Sequence, residues 1–286
     1  MGGMILTPRQ RAEREFYQVH ARLHAPETVT FDPVLGRQRR PWNSYWFVYE
    51  QARAFYQAGA RKVLDFGCGK GVVAVRLARI GFEVSGFDIS PNNIEVARRL
   101  AERYGFTDRT DFSVQVAEQL DYPDACFDLI VGMDILHHVE VPAAVAQAMR
   151  VLRPGGAAVF REHLAVPVLE WLRHSWPARR LVPPGESLER NITRYERKLT
   201  RADLADVRRL CPDVRIHRFT LLSRLGVFFD GARNPWPGRL ERLDARLFKA
   251  LPFLRPLGAT AVIVLHKCAT PRPKIPLPRE SRRGRV

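Results

Sequence analysis

The sequence predicts a doubly wound α/β fold: a mostly parallel, Rossmann-like sheet with an antiparallel edge and helical lid insertions. Three observations support this prediction. From Lys62 onward, short apolar strand patterns alternate with amphipathic helix patterns, which is typical of βαβ units. A turn with three glycines joins the first strand to the first helix of that alternation. Two late strand patterns, Val214 to Phe219 and Thr260 to His266, are expected to pair antiparallel at the sheet edge.

Each element of the alternation has its own local signal. The expected strands span residues 63–66, 83–88, 112–116, 127–133, 157–161, 214–219 and 260–266. The first helix follows Gly71 and ends at Gly81, a residue type favoured just past helix ends. The next helix begins with a Ser90 cap followed by Pro91 at its first position. Pro142 opens the helix that leads into the fifth strand.

The chain divides into three predicted parts. Residues 1–60 form an N-terminal helical lid. Residues 61–267 form the α/β domain, with a ligand-binding core at 61–162 and helical insertions at 164–210 and 220–258. The last segment, 268–286, is a Pro- and Arg-rich basic tail whose composition favours disorder.

Composition excludes several classes of protein. With 286 residues, 46% hydrophobic and 27% charged, the chain is long and apolar enough for one substantial core. The four cysteines lie far apart and form no CxxC pair, so we expect neither a disulfide framework nor a metal site. The first ten residues lack the apolar centre of a signal peptide, and no apolar run approaches the roughly 20 residues of a membrane-spanning helix. A cytoplasmic protein is therefore expected.

A net charge of +16 is the unusual feature of the composition. Such a charge favours anionic partners: nucleic acid, acidic lipid head groups or a phosphorylated substrate. An arginine-rich genome composition explains it equally well. The segment from Arg239 to Phe253 is basic and carries leucines at helical spacing. That pattern is compatible either with a lid packed on the core or with peripheral contact at an anionic membrane surface.

The run VLDFGCGKG carries the main functional signal. Glycine permits sharp turns and close approach of the backbone to a ligand, because it has no Cβ. The acidic Asp65 ends the first strand, whereas a loop built for pyrophosphate would present only amides and a helix N-terminus. The spacing GxGxG also differs from the dinucleotide fingerprint GxGxxG, which disfavours a dehydrogenase. Asp88 ends the second strand, where doubly wound folds place an acid against a ribose diol.

With these motifs, residues 60–162 resemble the class I S-adenosylmethionine-dependent methyltransferases of the small-molecule type. GFDIS is similar to the ribose-binding end of their second strand, QVAE to the stretch beside adenine, and VLRPGG to the turn before their fifth strand. The resemblance implies S-adenosylmethionine as cofactor. The cofactor-binding residues that it and the strand-end argument predict are Asp65, Gly67, Cys68, Gly69, Gly71, Asp88, Ile89, Ala117, Glu118 and Asp134. Many relatives carry Asp where this chain has Glu118.

Three residues are candidates for catalysis: His137, His138 and Glu162. The histidines follow the fourth strand and Glu162 lies just beyond the fifth, at the edge where ligands bind in such sheets. Histidine is the side chain best suited to accept a proton near pH 7, if the acceptor needs to lose one. The alternative for the histidines is that they merely pack the loop or bond backbone carbonyls. The alternative for Glu162 is that it forms a surface pair with His163 at the boundary of an insertion. Tyr17 and two further tyrosines, Tyr45 and Tyr49, either reach over the cofactor from the lid or belong to the core.

The predicted function is methyl transfer to a small acceptor. The apolar residues of the insertions indicate that this acceptor is lipophilic or aromatic. The insertion residues that indicate this are Leu164, Val166, Val168, Leu169, Trp171, Leu172 and Trp176, followed by Leu221, Leu222, Leu225, Val227, Phe228 and Phe229. The alternative is an RNA- or protein-modifying methyltransferase that uses the basic surface. Nucleic acid is disfavoured because the fourth strand ends in Gly-Met-Asp without the Pro-Pro-aromatic run of base-methylating enzymes. A cofactor-binding protein without catalysis is the third alternative.

Overall fold

A computed structural model describes residues 5–23, 28–167, 195–224 and 238–268. Within them the chain forms a seven-stranded sheet in the order β3-β2-β1-β4-β5-β7-β6. The strands are β1 (Lys62–Phe66), β2 (Glu83–Asp88), β3 (Thr110–Val114), β4 (Phe127–Met133), β5 (Leu152–His163), β6 (Val214–Phe219) and β7 (Thr260–His266). The first five run parallel, and β7 pairs antiparallel with both β5 and β6. The predicted fold class is confirmed.

Eight α-helices accompany these strands in the described ranges. They are α1 (Pro8–Leu23), α2 (Asp32–Leu35), α3 (Ser44–Gln57), α4 (Val72–Ile80), α5 (Pro91–Arg103), α6 (Val141–Val151), α7 (Arg201–Leu210) and α8 (Gly238–Ala250). Ser90 caps α5 by accepting a hydrogen bond from the Asn93 amide, as the sequence predicts. None of the helices in this part of the chain combines the length and apolarity needed to cross a bilayer.

The strand order determines which edge of the sheet can bind a ligand. β1 is paired on one side with β2 and on the other with β4, all parallel, so the chain runs outward from β1 to β3 and then crosses back to β4 on the other side of β1. Such a switch point opens a crevice at the carboxyl ends of the strands. Two apolar clusters cover the two faces of the sheet. Their burial fixes the positions of the strand ends. It therefore also fixes Gly67, Asp88 and Asp134, which lie at or just after those ends.

Several elements differ from the sequence prediction. β3 covers residues 110–114 rather than 112–116. β5 begins at Leu152 rather than at residue 157, because Leu152 pairs with Phe127 before a register shift. Within the predicted lid, α3 packs on the sheet, with Val48, Tyr49 and Ala52 fully buried.

The buried face of α8 is also not the face that the helical spacing of its leucines predicts. Asp244 and Phe248 are its buried residues, whereas Leu243 and Leu251 are 40% and 39% exposed. Asp244 accepts hydrogen bonds from the amides of Leu221, Leu222 and Ser223, and these bonds determine which face turns inward. The predicted apolar residues of 168–194 and 225–237, and most of the basic tail, lie outside the described residues.

Candidate active site

A cavity of about 220 Å³ lies at the carboxyl ends of β1, β2 and β4, under helix α1. Its lining consists of Gln10, Glu13, Tyr17, Gly67, Gly69, Phe87, Asp88, Ile89, Asn93, Gln115, Val116, Ala117, Glu118, Met133, Asp134, Ile135, His138 and Val139. The structure thus brings together eight of the residues predicted from sequence. The other five, Asp65, Cys68, Gly71, His137 and Glu162, are not part of the lining and lie behind it or elsewhere.

The three glycines of the loop after β1 serve different purposes. Each has a left-handed backbone, with φ of 75° at Gly67, 49° at Gly69 and 82° at Gly71. A Cβ on Gly69 would meet nothing within 4 Å, because this residue faces the cavity. A Cβ on Gly71 would lie 2.8 Å from the Cα of Ala97. Gly71 is therefore required where α4 and α5 cross, whereas Gly69 leaves room for a ligand.

Asp88 fixes the loop on the opposite side of the cavity. Its carboxylate accepts hydrogen bonds from the amides of Gly69 (3.1 Å) and Ser90 (2.8 Å) and from the Asn93 side chain (3.0 Å). Burial raises the pKa of Asp88, and these hydrogen bonds oppose that rise. The carboxylate is thereby oriented at the position where a sugar diol would be recognised.

Asp65 lies behind the glycine loop and is 1% exposed. Its Oδ2 atom is buried without a hydrogen-bond partner among the described residues. Burial raises the pKa of Asp65 to about 8. Cys68 is also buried behind the loop, with its thiol directed toward the Gly69 carbonyl.

The far end of the cavity is formed by Ala117, Glu118 and Ile89. Glu118 accepts hydrogen bonds from the Gln10 side chain (3.0 Å) and from the Glu140 amide (3.0 Å). This carboxylate joins three separate segments at the end of the cavity that corresponds to the predicted adenine position.

Helix α1 covers the cavity and is attached to it mainly by polar contacts. Arg9 donates hydrogen bonds to the carbonyls of His138 (2.9 Å) and His137 (3.2 Å) and forms an ion pair with Glu140 (2.8 Å). Farther along the helix, the Asn92 side chain donates to the Gln18 carbonyl. The lid is predicted from the sequence, whereas the contacts of Arg9, Gln10 and Glu13 are not. The signal was present, since residues 10, 13 and 17 share one face of a helix.

His138 is the predicted catalytic residue that reaches the cavity. Its Nδ1 lies 3.1 Å from Oε2 of Glu13, and its Nε2 lies 3.0 Å from the Tyr17 hydroxyl. Burial raises the pKa of Tyr17 far above its ordinary value, and the charge of Glu13 adds to this effect, so the phenol stays protonated. The other two candidate tyrosines are elsewhere: Tyr45 stacks on Arg161 and Tyr49 is fully buried.

His137 and Glu162 form a buried pair behind His138. Nδ1 of His137 lies 2.7 Å from Oε2 of Glu162, whose other oxygen accepts the amides of Ile135 and Leu136. Burial disfavours the charged imidazole, but the carboxylates of Glu162 and Glu196 outweigh it and raise the pKa of His137 to about 10. Glu162 therefore organises the loop after β4 rather than facing the cavity.

Asp134 lines the cavity in a left-handed conformation, with φ of 56°. Both of its oxygens bind the buried guanidinium of Arg161, at 2.5 and 2.7 Å. Arg161 also donates to the Ser44 hydroxyl and lies 3.9 Å from the centre of the Tyr45 ring. This network holds the loop after β4 against α3 and β5.

Fold and cavity together are those of a Rossmann-like, nucleoside-binding domain, and comparisons with known proteins identify its family. Residues 63–156 match the family model described as a methyltransferase domain. Over 195 residues the chain is 35% identical to 27-O-demethylrifamycin SV methyltransferase of Amycolatopsis mediterranei. The aligned region covers 68% of this chain and 70% of that protein. Over 141 residues it is 38% identical to the ubiquinone biosynthesis O-methyltransferase of Methylocella silvestris, covering 44% of this chain. That match spans about half of the relative's length, 54%.

A solved structure extends the agreement to the fold. Geranyl diphosphate C-methyltransferase from Streptomyces coelicolor A3(2) superposes with a TM-score of 0.55 at 13% identity, over 92% of this chain and 98% of that one. The chain belongs to the class I S-adenosylmethionine-dependent methyltransferases, as its resemblance in sequence predicts.

The residues present fit the cofactor of that family. The cavity has an acid at its side, Asp88, and a bare glycine, Gly69, at its base. The buried Oδ2 of Asp65, without a hydrogen-bond partner among the described residues, leaves a hydrogen-bond acceptor behind the glycine loop. This combination suits a ligand with a sugar diol and a cationic amino acid end.

Proposed function

We propose that this protein transfers the methyl group of S-adenosylmethionine to a hydroxyl oxygen of a small lipophilic or aromatic acceptor. The observation that carries the proposal is His138, an imidazole at the cavity wall whose two ring nitrogens are positioned by Glu13 and Tyr17. Oxygen is favoured as acceptor atom because the two relatives described above are named as methyltransferases of oxygen.

The cofactor assignment follows from the cavity. We assign Asp88 to the ribose hydroxyls, Ala117 and Glu118 to the adenine, and the Gly67–Gly69 loop to the amino acid end. Asp65 lies behind that loop and does not line the cavity; a bound cationic end would favour the ionised form of its buried carboxyl group. Asp134 shapes the wall near the sulfonium and is held in place by Arg161.

The bound cofactor supplies an activated methyl group on a positively charged sulfur. Transfer of that methyl group would form a bond from the acceptor oxygen to the methyl carbon and would leave the electron pair of the broken sulfur–carbon bond on sulfur. The chain has to position the acceptor and help its hydroxyl to lose a proton. We assign His138 to this second task. Glu13 holds the imidazole by its Nδ1, so that Nε2 is available once the acceptor displaces the Tyr17 hydroxyl.

Replacement of His138 tests the assignment. We expect His138→Ala to lower turnover by at least ~10-fold, because a positioned acid–base group contributes that much or more. Turnover would be measured as S-adenosylhomocysteine release with a panel of substituted phenols and hydroxyquinones, with mass spectrometry for products heavier by one methylene. The affinity for S-adenosylhomocysteine, measured by calorimetry, should stay unchanged.

The control is His217→Ala, a histidine on β6 that contacts Phe47 instead of the cavity. Unaltered turnover in His138→Ala would remove the assignment of His138. A wild-type chain that binds neither S-adenosylmethionine nor S-adenosylhomocysteine would refute the proposed function as a whole.

The exposed face of α8 supports a peripheral contact with an anionic membrane. Leu243 and Leu251 are more than a third exposed, and Phe253 just beyond the helix is 73% exposed. The two acids of the helix turn inward: Asp244 caps the amides of residues 221–223 and Glu241 accepts from the Asn43 side chain. The exposed charges of the helix are therefore Arg239, Arg242, Arg246 and Lys249.

This arrangement of cations beside exposed apolar groups suits anionic head groups. Flotation of the protein with vesicles rich in phosphatidylglycerol should be lost in the double variant Leu251→Glu, Phe253→Glu and should be absent with neutral vesicles. Equal flotation of wild type and variant would contradict the contact.

A further inference from the structure

A cluster of three potential metal ligands lies beside the cavity: His137, His138 and Glu196. Their ligand atoms all lie within 4.8 Å of one another. Glu196 is distant in the sequence from the histidine pair, and no metal site is expected from the sequence alone. The cluster exists because the segment after residue 194 returns to the loop that follows β4, where the Arg197 amide approaches the His137 carbonyl at 3.5 Å.

The distances suit a shared cation. Nε2 of His137 and Oε1 of Glu196 are 3.6 Å apart, which is longer than a hydrogen bond. Two ligands of one tetrahedral cation lie about 3.4 Å apart when each bond is about 2.1 Å long. The rings of His137 and His138 are neighbours, with centroids 4.2 Å apart. A small movement of the rotatable Glu196 side chain would bring all three groups onto one ion.

Both imidazoles are already oriented as metal ligands usually are. Metal-binding histidines generally present one ring nitrogen to the ion and bond the other to a carboxylate or carbonyl. Here Nδ1 of His137 is held by Glu162 at 2.7 Å, and Nδ1 of His138 is held by Glu13 at 3.1 Å. Glu162 is fully buried and Glu13 is 4% exposed, so both orienting carboxylates are fixed.

We propose that His137, His138 and Glu196 bind a divalent transition metal ion of the zinc type at the acceptor side of the cavity. Two imidazoles and one carboxylate form a donor set that binds zinc in catalytic sites, where the fourth position stays open. His138 lines the cavity, so the open position faces the acceptor. A cation there would stabilise the acceptor oxygen as an oxyanion, which points to acceptors with an acidic hydroxyl, such as phenols or catechols. The ion would displace the Tyr17 hydroxyl from Nε2 of His138, and that nitrogen would then be a ligand and not a base. In the loaded enzyme the cation, by lowering the pKa of the acceptor hydroxyl, would therefore replace His138 in promoting loss of its proton. This role rests on the proposed transfer to oxygen, whereas the binding site does not.

Cobalt titration tests the site independently of turnover. The full chain, freed of purification tag and treated with EDTA, would be titrated with Co²⁺ and followed by its visible absorption bands, with Zn²⁺ as competitor. We expect one Co²⁺ per chain, displaced by Zn²⁺. Glu196→Gln removes a ligand charge at nearly constant shape and should weaken Co²⁺ binding by at least ~10-fold; His138→Ala should do so too.

The matched control is His163→Ala, whose ring lies 6.4 Å from that of His137 but outside the ligand cluster. It should bind Co²⁺ as the wild type does. Absence of saturable binding, or equal binding by wild type, Glu196→Gln and His138→Ala, would overturn the site. The affinity for S-adenosylhomocysteine, measured on the same samples, separates the two proposals. Absence of this affinity contradicts the proposed function. Its retention without Co²⁺ binding contradicts the metal site alone.

Discussion

Replacing Gly69 with alanine should weaken cofactor binding much more than it weakens the fold. Gly69 has a φ of 49°, and a Cβ there meets no atom within 4 Å. The expected loss of stability is therefore only the left-handed backbone cost of an L-residue, about 1–2 kcal/mol. The new methyl group would project into the cavity that the cofactor is proposed to fill, so we expect at least ~10-fold weaker binding, which corresponds to about 1.4 kcal/mol.

Two further glycines separate the contributions. Gly105 has a φ of 70° and free space around a Cβ, but it follows α5 away from the cavity. Gly105→Ala should lose the same stability as Gly69→Ala and keep full cofactor affinity. Gly71→Ala adds a contact of 2.8 Å with the Ala97 backbone. Overpacking of this kind costs about 1–3 kcal/mol beyond the backbone cost.

The assay combines urea denaturation of the three variants with calorimetric titration of S-adenosylhomocysteine. The expected order of stability is wild type, then Gly69→Ala and Gly105→Ala together, then Gly71→Ala. If Gly69→Ala binds the cofactor product as tightly as Gly105→Ala does, the glycine loop is not the cofactor contact and the reasoning is refuted.

Three other perturbations have definite expected outcomes. Asp65 holds a proton in the folded chain up to a pKa of about 8 but loses it near 3.8 when unfolded, so stability should fall as pH rises from 4 to 8. Urea denaturation across that window should show a smaller fall for Asp65→Asn, and an equal fall would contradict the buried neutral carboxyl. Asp244→Ala leaves three amides and the Ser223 hydroxyl without their acceptor and should lower the free energy of unfolding by about 2–3 kcal/mol; Leu243→Ala on the exposed side of the same helix is its control. Arg9→Met should release α1, seen as faster amide hydrogen exchange in the helix, and S-adenosylhomocysteine should slow this exchange in the wild type; equal exchange rates would contradict the role of Arg9.

The sequence predicts the ligand edge of the sheet well because local rules determine it. Alternating strands and helices, the capping residue Ser90 and the glycine spacing are each encoded within a few neighbouring residues. For this reason β2, β4, β6 and β7 were predicted with the bounds that the structure shows. β3 and β5 were displaced or lengthened because their ends depend on pairing with strands distant in the sequence.

The site was predicted where a motif specifies it and missed where distant segments meet. Asp88 and Gly69 belong to motifs and lie at the cavity. Glu196 approaches the histidine pair only through the path of the folded chain, and no short pattern signals it. The helical spacing of residues 10, 13 and 17 indicates a shared face, but it does not indicate that Glu13 reaches His138. Similarly, nothing in a leucine-spaced helix indicates that Asp244 is its buried residue, because that choice depends on the amides of residues 221–223.

The attachment of α1 has a consequence for the timing of the reaction. This helix closes the cavity and also supplies Glu13 and Tyr17, which orient the imidazole of His138. Movement of this helix away from the cavity would take both partners with it. Under the proposed function, His138 would therefore be aligned only while α1 covers the cavity, and it would lose that alignment as the cavity opens to water.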